Sequence, residues 1–252
     1  MQLCQQTSTL TLLNMDGKKM KSISSDLNVI EADDVWKVYQ RGKTDVEALR
    51  GVSFRVREGE IVAIMGPSGC GKTTLLNIIG GLDKPTKGNI RVNDIELSSL
   101  GESKLTKFRR ENIGFVFQFY NLLPNLTALE NVQLPLIAKG LSKKERFERA
   151  TEFLQAVGLS DRLYHKPGEL SGGEQQRVAI ARAIAVQPSI VLADEPTGDL
   201  DTKTGEEIME LLRQINDQGQ TIIVVTHDDM IAMTTDRIIK LRDGKIIENS
   251  GS

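Results

Sequence analysis

The sequence has few cysteines, which form disulfides and many zinc sites, and it has no apolar run long enough to span a membrane. Its 252 residues include two cysteines, Cys4 and Cys70, which lie far apart in the chain. We therefore expect neither a disulfide framework nor a cysteine metal site, and a reducing compartment fits this usage. No stretch approaches the ~20 apolar residues that cross a bilayer. A net charge of −2 argues against a general binder of nucleic acid or anionic membranes.

The composition is that of a chain with a large folded core. With 39% hydrophobic and 26% charged residues, it can form one large domain or a core with an inserted subdomain. Residues 1–27 differ, because they are polar and their Leu10, Leu12 and Leu13 are too few for the apolar segment of a signal peptide. We expect residues 1–27 to be a disordered extension and residues 28–252 to form the domain.

A glycine-rich segment predicts a phosphate-binding loop. The pattern G-x-x-x-x-G-K-[ST] is matched by Gly66, Pro67, Ser68, Gly69, Cys70, Gly71, Lys72 and Thr73. The apolar residues 61–65 before it predict a buried strand, and residues 72–79 predict a helix that includes Thr74. In such a loop the backbone N–H groups bind phosphate, the lysine contacts the β- and γ-phosphates, and the threonine hydroxyl coordinates Mg²⁺. The segment therefore predicts a nucleotide site.

Two further apolar segments end in residues suited to the other side of this site. Residues 189–193 are followed by Asp194 and Glu195, and residues 221–226 are followed by His227. Ligands bind at the carboxyl ends of strands in open α/β sheets. We expect Asp194 to hold Mg²⁺ through its water shell and Glu195 to polarise the water that attacks the γ-phosphate, which His227 would contact. The alternatives are a solvated acidic turn and a structural histidine.

A second glycine-serine turn opens another predicted helix, at Leu170-Ser171-Gly172-Gly173-Glu174-Gln175. Such helix starts bind anions. One phosphate chain cannot obviously reach both turns within a single chain. Together the two turns suggest an ATP site that is completed by a second copy of the protein.

In this order the motifs resemble those of the ATP-binding-cassette (ABC) ATPases, and the similarity runs from about Val29 to Ile247. The resemblance implies that Tyr39 stacks on adenine, whereas Trp36 in the same strand packs. It also implies that Gln118 contacts Mg²⁺ and links the site to a helical subdomain.

The resemblance places other residues at the interface between two subunits. Ser171 and Gly173, with Gly172 between them, would cap the γ-phosphate of the opposite subunit. Residues 198–201 would form the loop that crosses the interface, and His227 would be the switch histidine. The expected catalytic residues are Glu195, His227 and Lys72, and the expected Mg²⁺ ligands are Thr73, Gln118 and Asp194.

The fold implied by the resemblance is α/β. It is a P-loop NTPase core with a small antiparallel β subdomain and an inserted α-helical subdomain at about residues 119–172, the whole ABC ATPase domain spanning residues 28–252. More narrowly, residues 77–86, 117–132 and 134–136 are similar to the lipoprotein-release and macrolide-export branch. That branch pairs a free-standing ATPase with a separate membrane protein.

The function implied is an ATPase subunit that binds ATP and Mg²⁺, forms a dimer with a second copy of itself and drives a permease-type membrane subunit. It would be cytoplasmic and peripheral on the inner face of the cell membrane, without a nucleic-acid partner. One alternative is an ATPase that drives transmembrane signalling or cell-wall remodelling. The other is a DNA-maintenance ATPase, which would place long coiled-coil heptads between the motifs, and the sequence has none.

For two features the sequence is consistent with more than one environment. The thiol of Cys70 either lies in the anion site beside Lys72, where its pKa would fall, or points inertly into the core. The residues after Gln118 are too apolar for an ordinary solvated loop, so they either dock the membrane partner or pack the helical subdomain. They are Phe119, Tyr120, Leu122 and Leu123.

Local patterns predict three further elements. A capping box at Ser142 starts a helix whose apolar face contains Phe147, Ala150, Leu154 and Val157. Another helix carries the stripe Ile208, Leu211, Leu212 and Ile215. A turn at Arg242-Asp243-Gly244 predicts a hairpin near the C-terminus.

Overall fold

The computed structural model describes residues 27–42 and 44–251. The predicted disordered extension therefore lies outside the described residues, apart from Leu27, and so does Cys4. Among the helices within these ranges, none is both long enough and apolar enough to cross a membrane.

The strands of the described residues form two sheets. In chain order they are β1 (Asn28–Arg41), β2 (Thr44–Arg57), β3 (Ile61–Met65), β4 (Lys87–Val92), β5 (Ile95–Glu96), β6 (Ile113–Phe117), β7 (Ile190–Asp194), β8 (Thr221–Thr226), β9 (Arg237–Arg242) and β10 (Lys245–Gly251). The smaller sheet has the order β2-β1-β4-β5 and is antiparallel. The larger has the order β10-β9-β3-β8-β7-β6, and its strands are parallel except for β10. The predicted α/β fold with a small antiparallel sheet is confirmed.

The helices lie between these strands in the chain. They are α1 (Lys72–Ile79), α2 (Glu102–Asn112), α3 (Ala128–Ala138), α4 (Lys143–Ala156), α5 (Gly172–Ile184), α6 (Thr202–Asp217) and α7 (Asp229–Ala232). Helices α3, α4 and α5 pack against one another between β6 and β7. Helices α3 and α4 lie within the helical insertion expected at residues 119–172, whereas α5 begins where that range ends. The insertion as a subdomain stays a prediction.

The parallel sheet is covered on both faces, which explains its continuous apolar strands. Every residue of β3 and β8 is buried. Because side chains alternate along a strand, Ile222 and Val224 join the core beneath α3 to α6, while Ile223 and Val225 join the core beneath α1 and the antiparallel sheet. The sheet therefore forms a rigid layer between two cores.

The local predictions hold with one exception. Ser142 caps α4 in a capping box with Glu145, and the stripe on α6 is entirely buried. The hairpin turn between β9 and β10 has positive φ angles at Asp243 and Gly244, as a tight turn requires. Phe147 was expected on the core face of α4 but is 44% exposed, because it lies at the edge of the packed stripe.

A buried asparagine in α3 holds the loop that leads from β6 into the helical region. The side chain of Asn131 is fully buried, and its Oδ1 accepts a hydrogen bond of 2.8 Å from the N–H of Leu123. Its Nδ2 donates to the carbonyls of Leu123, Leu126 and Thr127 at 3.0–3.2 Å. One amide thus contacts four partly buried backbone groups of an irregular segment, with its two N–H hydrogens shared among three carbonyls.

We predict that Asn131→Ala lowers the free energy of unfolding by about 2–3 kcal/mol, because it leaves the N–H of Leu123 and the carbonyl of Leu126 without these partners. Urea denaturation followed by circular dichroism measures this. Asn125→Ala changes an exposed asparagine of the same loop and should shift the free energy by less than about 0.5 kcal/mol. Equal effects of the two substitutions would contradict the role of Asn131.

Candidate active site

A cavity of about 850 Å³ lies where the parallel strands end. The residues that follow the carboxyl ends of β3, β6, β7 and β8 all reach it, as ligand sites in open α/β sheets do. Its lining consists of Ala48, Met65, Gly66, Pro67, Ser68, Gly69, Gly71, Lys72, Thr73, Thr74, Gln118, Asp194, Glu195 and His227. The structure therefore gathers most of the predicted site residues around one space.

The phosphate loop connects β3 to α1 and needs glycine at two close approaches. A Cβ atom on Gly66 would lie 2.1 Å from the carbonyl oxygen of Leu241, and one on Gly71 would lie 2.5 Å from that of Ala48. Both glycines also have positive φ angles. No side chain caps the N-terminus of α1. The first N–H groups of this helix are therefore available to an anion in the cavity.

Lys72 is held across this loop. Its side chain is largely buried, with the residue only 8% exposed, and its Nζ donates to the carbonyl of Gly66 at 2.7 Å and to that of Pro67 at 3.2 Å. These bonds fix the ammonium group at the wall of the cavity. A cation at this position favours binding of a phosphate chain.

On the opposite wall, Asp194 ends β7 next to the hydroxyl of Thr73. The Thr73 Oγ1 lies 3.5 Å from the Asp194 Oδ1. Burial and the neighbouring carboxylate of Glu195 raise the pKa of Asp194. Within the described ranges, no group of three or more His, Cys, Asp and Glu side chains could hold a metal by itself. A hydroxyl, a carboxylate and the amide of Gln118 fit Mg²⁺, which proteins bind with few ligands of their own together with substrate phosphates.

Glu195 and His227 form a pair at the mouth of the cavity. Both carboxylate oxygens of Glu195 lie 2.9 Å from the His227 Nδ1. Glu195 has a φ of 47°, an uncommon value for a residue other than glycine, and its N–H donates to the Val225 carbonyl at 2.9 Å. The His227 side chain is 69% exposed. It is therefore not a histidine satisfied within the core, and the acids are not a freely solvated turn.

Tyr39 lies beside the cavity and outside its lining. Its hydroxyl donates to the Asp83 Oδ2 at 2.7 Å, and the Lys37 Nζ stands 4.8 Å from the centre of its ring. Partial burial and the hydrogen bond to Asp83 raise the pKa of Tyr39, which also contacts Thr74 in the cavity wall. The sequence analysis missed Asp83, because a carboxylate so distant along the chain carries no sign of this contact.

Cys70 does not present its thiol to the cavity. The residue is 4% exposed, and its side chain packs in the core beneath the loop. Of the two environments considered for this thiol, the structure has the inert one. Any binding role of Cys70 is therefore confined to its backbone.

The second glycine turn stands apart from the cavity of its own chain. The turn opens a helix, as predicted. Ser171 is exposed and caps α5, since its Oγ accepts from the N–H of Glu174 and Glu174 accepts from the N–H of Ser171. Gly172 and Gly173 begin the helix, and Gly173 packs so closely against Thr204 that a Cβ atom would lie 2.5 Å from its methyl group. The three predicted residues do not line the cavity with Lys72 and Glu195.

Comparison with known proteins places this geometry in a family. The sequence profile described as "ABC transporter" matches residues 49–198. An uncharacterised ABC transporter ATP-binding protein of Thermotoga maritima is 58% identical over 225 residues, which cover 88% of this chain and 96% of that protein. The macrolide export ATP-binding/permease protein MacB of Shigella flexneri is 48% identical over 221 residues, which cover 88% of this chain but 34% of MacB.

A solved structure is similar over the same extent. The ATP-binding cassette MJ0796 of Methanocaldococcus jannaschii, described as a dimeric post-hydrolysis state bound to ADP and Pi, superposes with a TM-score of 0.82 at 51% identity. The match covers 88% of this chain and 98% of that chain. The resemblance inferred from the motifs is confirmed: the chain belongs to the ABC transporter family, as an ATP-binding cassette protein.

Proposed function

We propose that the chain is the ATP-hydrolysing subunit of an ABC transporter, which dimerises around two MgATP and drives a separate membrane protein. One observation carries this proposal. A single cavity brings the phosphate loop, Asp194, Glu195 and His227 together at the carboxyl edge of the parallel sheet. Residues 28–252 constitute this ATPase domain, with its helical subdomain at about residues 119–172.

Each residue of the cavity has its own role in the transfer of the γ-phosphoryl group to water. The N–H groups of the phosphate loop and the ammonium of Lys72 bind the β- and γ-phosphates. Thr73, Gln118 and Asp194 would hold Mg²⁺, which when bound neutralises charge on the phosphates. Glu195 takes the proton of the water that attacks the γ-phosphorus, while the bond to the β-phosphate oxygen breaks. His227 orients the Glu195 carboxylate through its Nδ1 and contacts the γ-phosphate.

A second copy completes the site. Ser171, Gly172 and Gly173 lie outside the cavity of their own chain, yet their helix N-terminus suits an anion. In a two-fold dimer each chain would offer this turn to the γ-phosphate held by the other chain. The adenine would stack on Tyr39, whose ring has Lys37 against one face.

A membrane permease is the second partner. MacB joins an ATP-binding region and a permease in one protein, of which this chain spans about a third. The present chain would therefore act peripherally on the cytoplasmic face of the membrane, through a separate permease. The residues after Gln118 offer a contact surface, since Phe119 is 71% and Leu123 is 49% exposed. Leu122 packs against the core instead.

The alternatives fit less well. In the described part of the chain, the helices between β6 and β7 have 11, 14 and 13 residues and form a packed group, where a DNA-maintenance ATPase would need a long coiled coil. A signalling or cell-wall role would use the same ATPase with another membrane protein. Copurification of the membrane partner and identification of its extracellular domain distinguish signalling from transport.

Glu195→Gln should leave ATP binding intact, lower the hydrolysis rate by about 100-fold or more, and trap an ATP-bound dimer. An amide cannot accept the proton, and loss of its charge eases the approach of two phosphate-loaded faces. Size-exclusion chromatography with ATP and a phosphate-release assay measure both effects. A variant that stays monomeric with ATP or hydrolyses at the parental rate would remove Glu195 from this role.

Ser171→Arg and Lys72→Ala should each hydrolyse little ATP alone, yet recover part of the activity when mixed. A heterodimer holds one intact site, composed of the phosphate loop of the first variant and the glycine turn of the second. The recovered rate should not exceed about a quarter of the parental rate if subunits assort at random, because half of the dimers then hold one of two sites. Heterodimers that form without recovery would contradict a site shared between chains.

Leu123→Glu should weaken binding to the membrane partner by about tenfold or more while the basal ATPase rate is retained, because the charge would be desolvated in the contact. A pull-down from detergent-solubilised membranes measures the binding. Phe147→Glu, on the exposed side of α4, is the matched control and should bind normally. If both variants bind like the parent, the surface at Leu123 is not the docking site.

A further inference from the structure

A buried amide connects α5 to the loop that carries the catalytic carboxylate. Gln176 is fully buried, and its Nε2 donates a hydrogen bond of 2.6 Å to the carbonyl of Pro196. Pro196 directly follows Glu195 and is itself buried. No part of the mechanism described above uses Gln176.

The orientation of this amide is fixed by its partner. A carbonyl can only accept, so the NH₂ group of Gln176 has to face Pro196. The other end, Oε1, is buried and has no hydrogen-bond partner among the described residues. A half-satisfied buried amide costs free energy of folding, so stability alone gives no reason for glutamine at this position.

The loop it holds has few other anchors. Glu195 has a positive φ, and its N–H and carbonyl bond to the Val225 carbonyl and to the N–H of Gly198. Proline has no N–H, so the carbonyl of Pro196 is the single backbone polar group through which that residue can be held. Without Gln176, the carbonyl of Pro196 would lose its hydrogen bond, and the loop that carries the left-handed Glu195 would be held less firmly.

The other end of the connection is the glycine-serine turn. Ser171 caps α5 about one and a half turns before Gln176. Helix α5 is also tied to α6 by the ion pair of Arg177 with Glu207, and by the contact of Gly173 with Thr204. The helix that would close over the partner's nucleotide is therefore joined by hydrogen bond to the loop of its own catalytic carboxylate.

We propose that Gln176 is a positioning residue: it holds the carbonyl of Pro196, the residue after Glu195, and thereby transmits the position of α5 to the catalytic carboxylate of the same chain. Closure of α5 on the nucleotide of one site would in this way align the carboxylate of the other site. The transmission between sites rests on the proposed ATP-bound dimer. The positioning of Glu195 does not.

The first test is kinetic. Gln176→Met and Gln176→Leu remove both the donor and the unpaired oxygen while keeping a buried side chain of similar size. We expect kcat to fall by about tenfold or more, with the affinity for ATP within about twofold of the parent and the Hill coefficient for ATP closer to one. The matched control is Asn216→Leu, since Asn216 is a buried amide of α6 that holds the carbonyls of Gly59 and Gln220 at 2.8 Å, away from the cavity.

Asn216→Leu should lower the melting temperature at least as much as Gln176→Leu, yet keep kcat within about twofold. If both Gln176 variants keep kcat within that range, or if Asn216→Leu lowers kcat equally, Gln176 has no positioning role. Size-exclusion chromatography of each variant with ATP shows whether the dimer still forms. A loss of kcat in a variant that dimerises like the parent therefore differs from a failure of the proposed dimer.

The second test shows in which chain of a heterodimer Gln176 is needed for hydrolysis. In mixtures of Ser171→Arg with Lys72→Ala, the active site uses Glu195 of the Ser171→Arg chain. Adding Gln176→Met to that chain should reduce the recovered hydrolysis by about tenfold, whereas adding it to the Lys72→Ala chain should have a much smaller effect. The reverse pattern would show that Gln176 acts through the glycine turn on the partner's nucleotide, and would overturn the proposal.

Discussion

The active site depends on the register of three parallel strands. Backbone hydrogen bonds align Met65 of β3 with Thr226 of β8, and Val225 of β8 with Asp194 of β7. Because parallel strands in register end at the same level, the residues that follow them, Gly66, His227 and Glu195, meet at one edge. Apolar side chains on both faces fix this register, since a slip of one residue would turn core residues toward the wrong layer.

Once the strands are aligned, the site gathers groups that would not associate by themselves. Asp194 and Glu195 are adjacent carboxylates, and burial of the first raises its pKa. Glu195 also has an unfavourable backbone conformation. Contacts elsewhere in the fold offset these unfavourable terms. The loop that contains Glu195 is held at one end by the N–H of Glu195 and at the other by Gln176. The charge that would balance the two carboxylates would come from Mg²⁺, so the site suits its ligands better than it stabilises the fold.

Sequence reasoning could locate the motifs because each is local. A strand, a glycine loop and a helix follow one another within residues 61–79, and the hairpin turn at Asp243 lies between its own strands. It could not assign contacts between distant segments. The position of Phe147 at the edge of its stripe, the core environment of Cys70 and the bond of Tyr39 to Asp83 depend on which element packs opposite. The amide of Gln176 is the clearest case, because only the folded chain brings it to Pro196.

The glycine-serine turn already has its folded conformation in the single chain. This affects which interactions drive the association of two copies. The N–H of Ser171 and the guanidinium of Arg162 hold the pKa of Glu174 below its usual range, so this carboxylate stays ionised and keeps the capping box closed. The Oγ of Ser171 accepts from the N–H of Glu174, and its hydroxyl hydrogen is thus free to be donated to a phosphate oxygen. No loop has to be ordered when two copies meet, so little entropy is lost there. In the proposed dimer the faces that meet would carry Glu195 and the acids of residues 198–201, which would repel each other until a nucleotide lies between Lys72 of one chain and Ser171 of the other. On this proposal, association of the two chains would be governed by the phosphates they share, and release of the γ-phosphate would remove the contact that joins them.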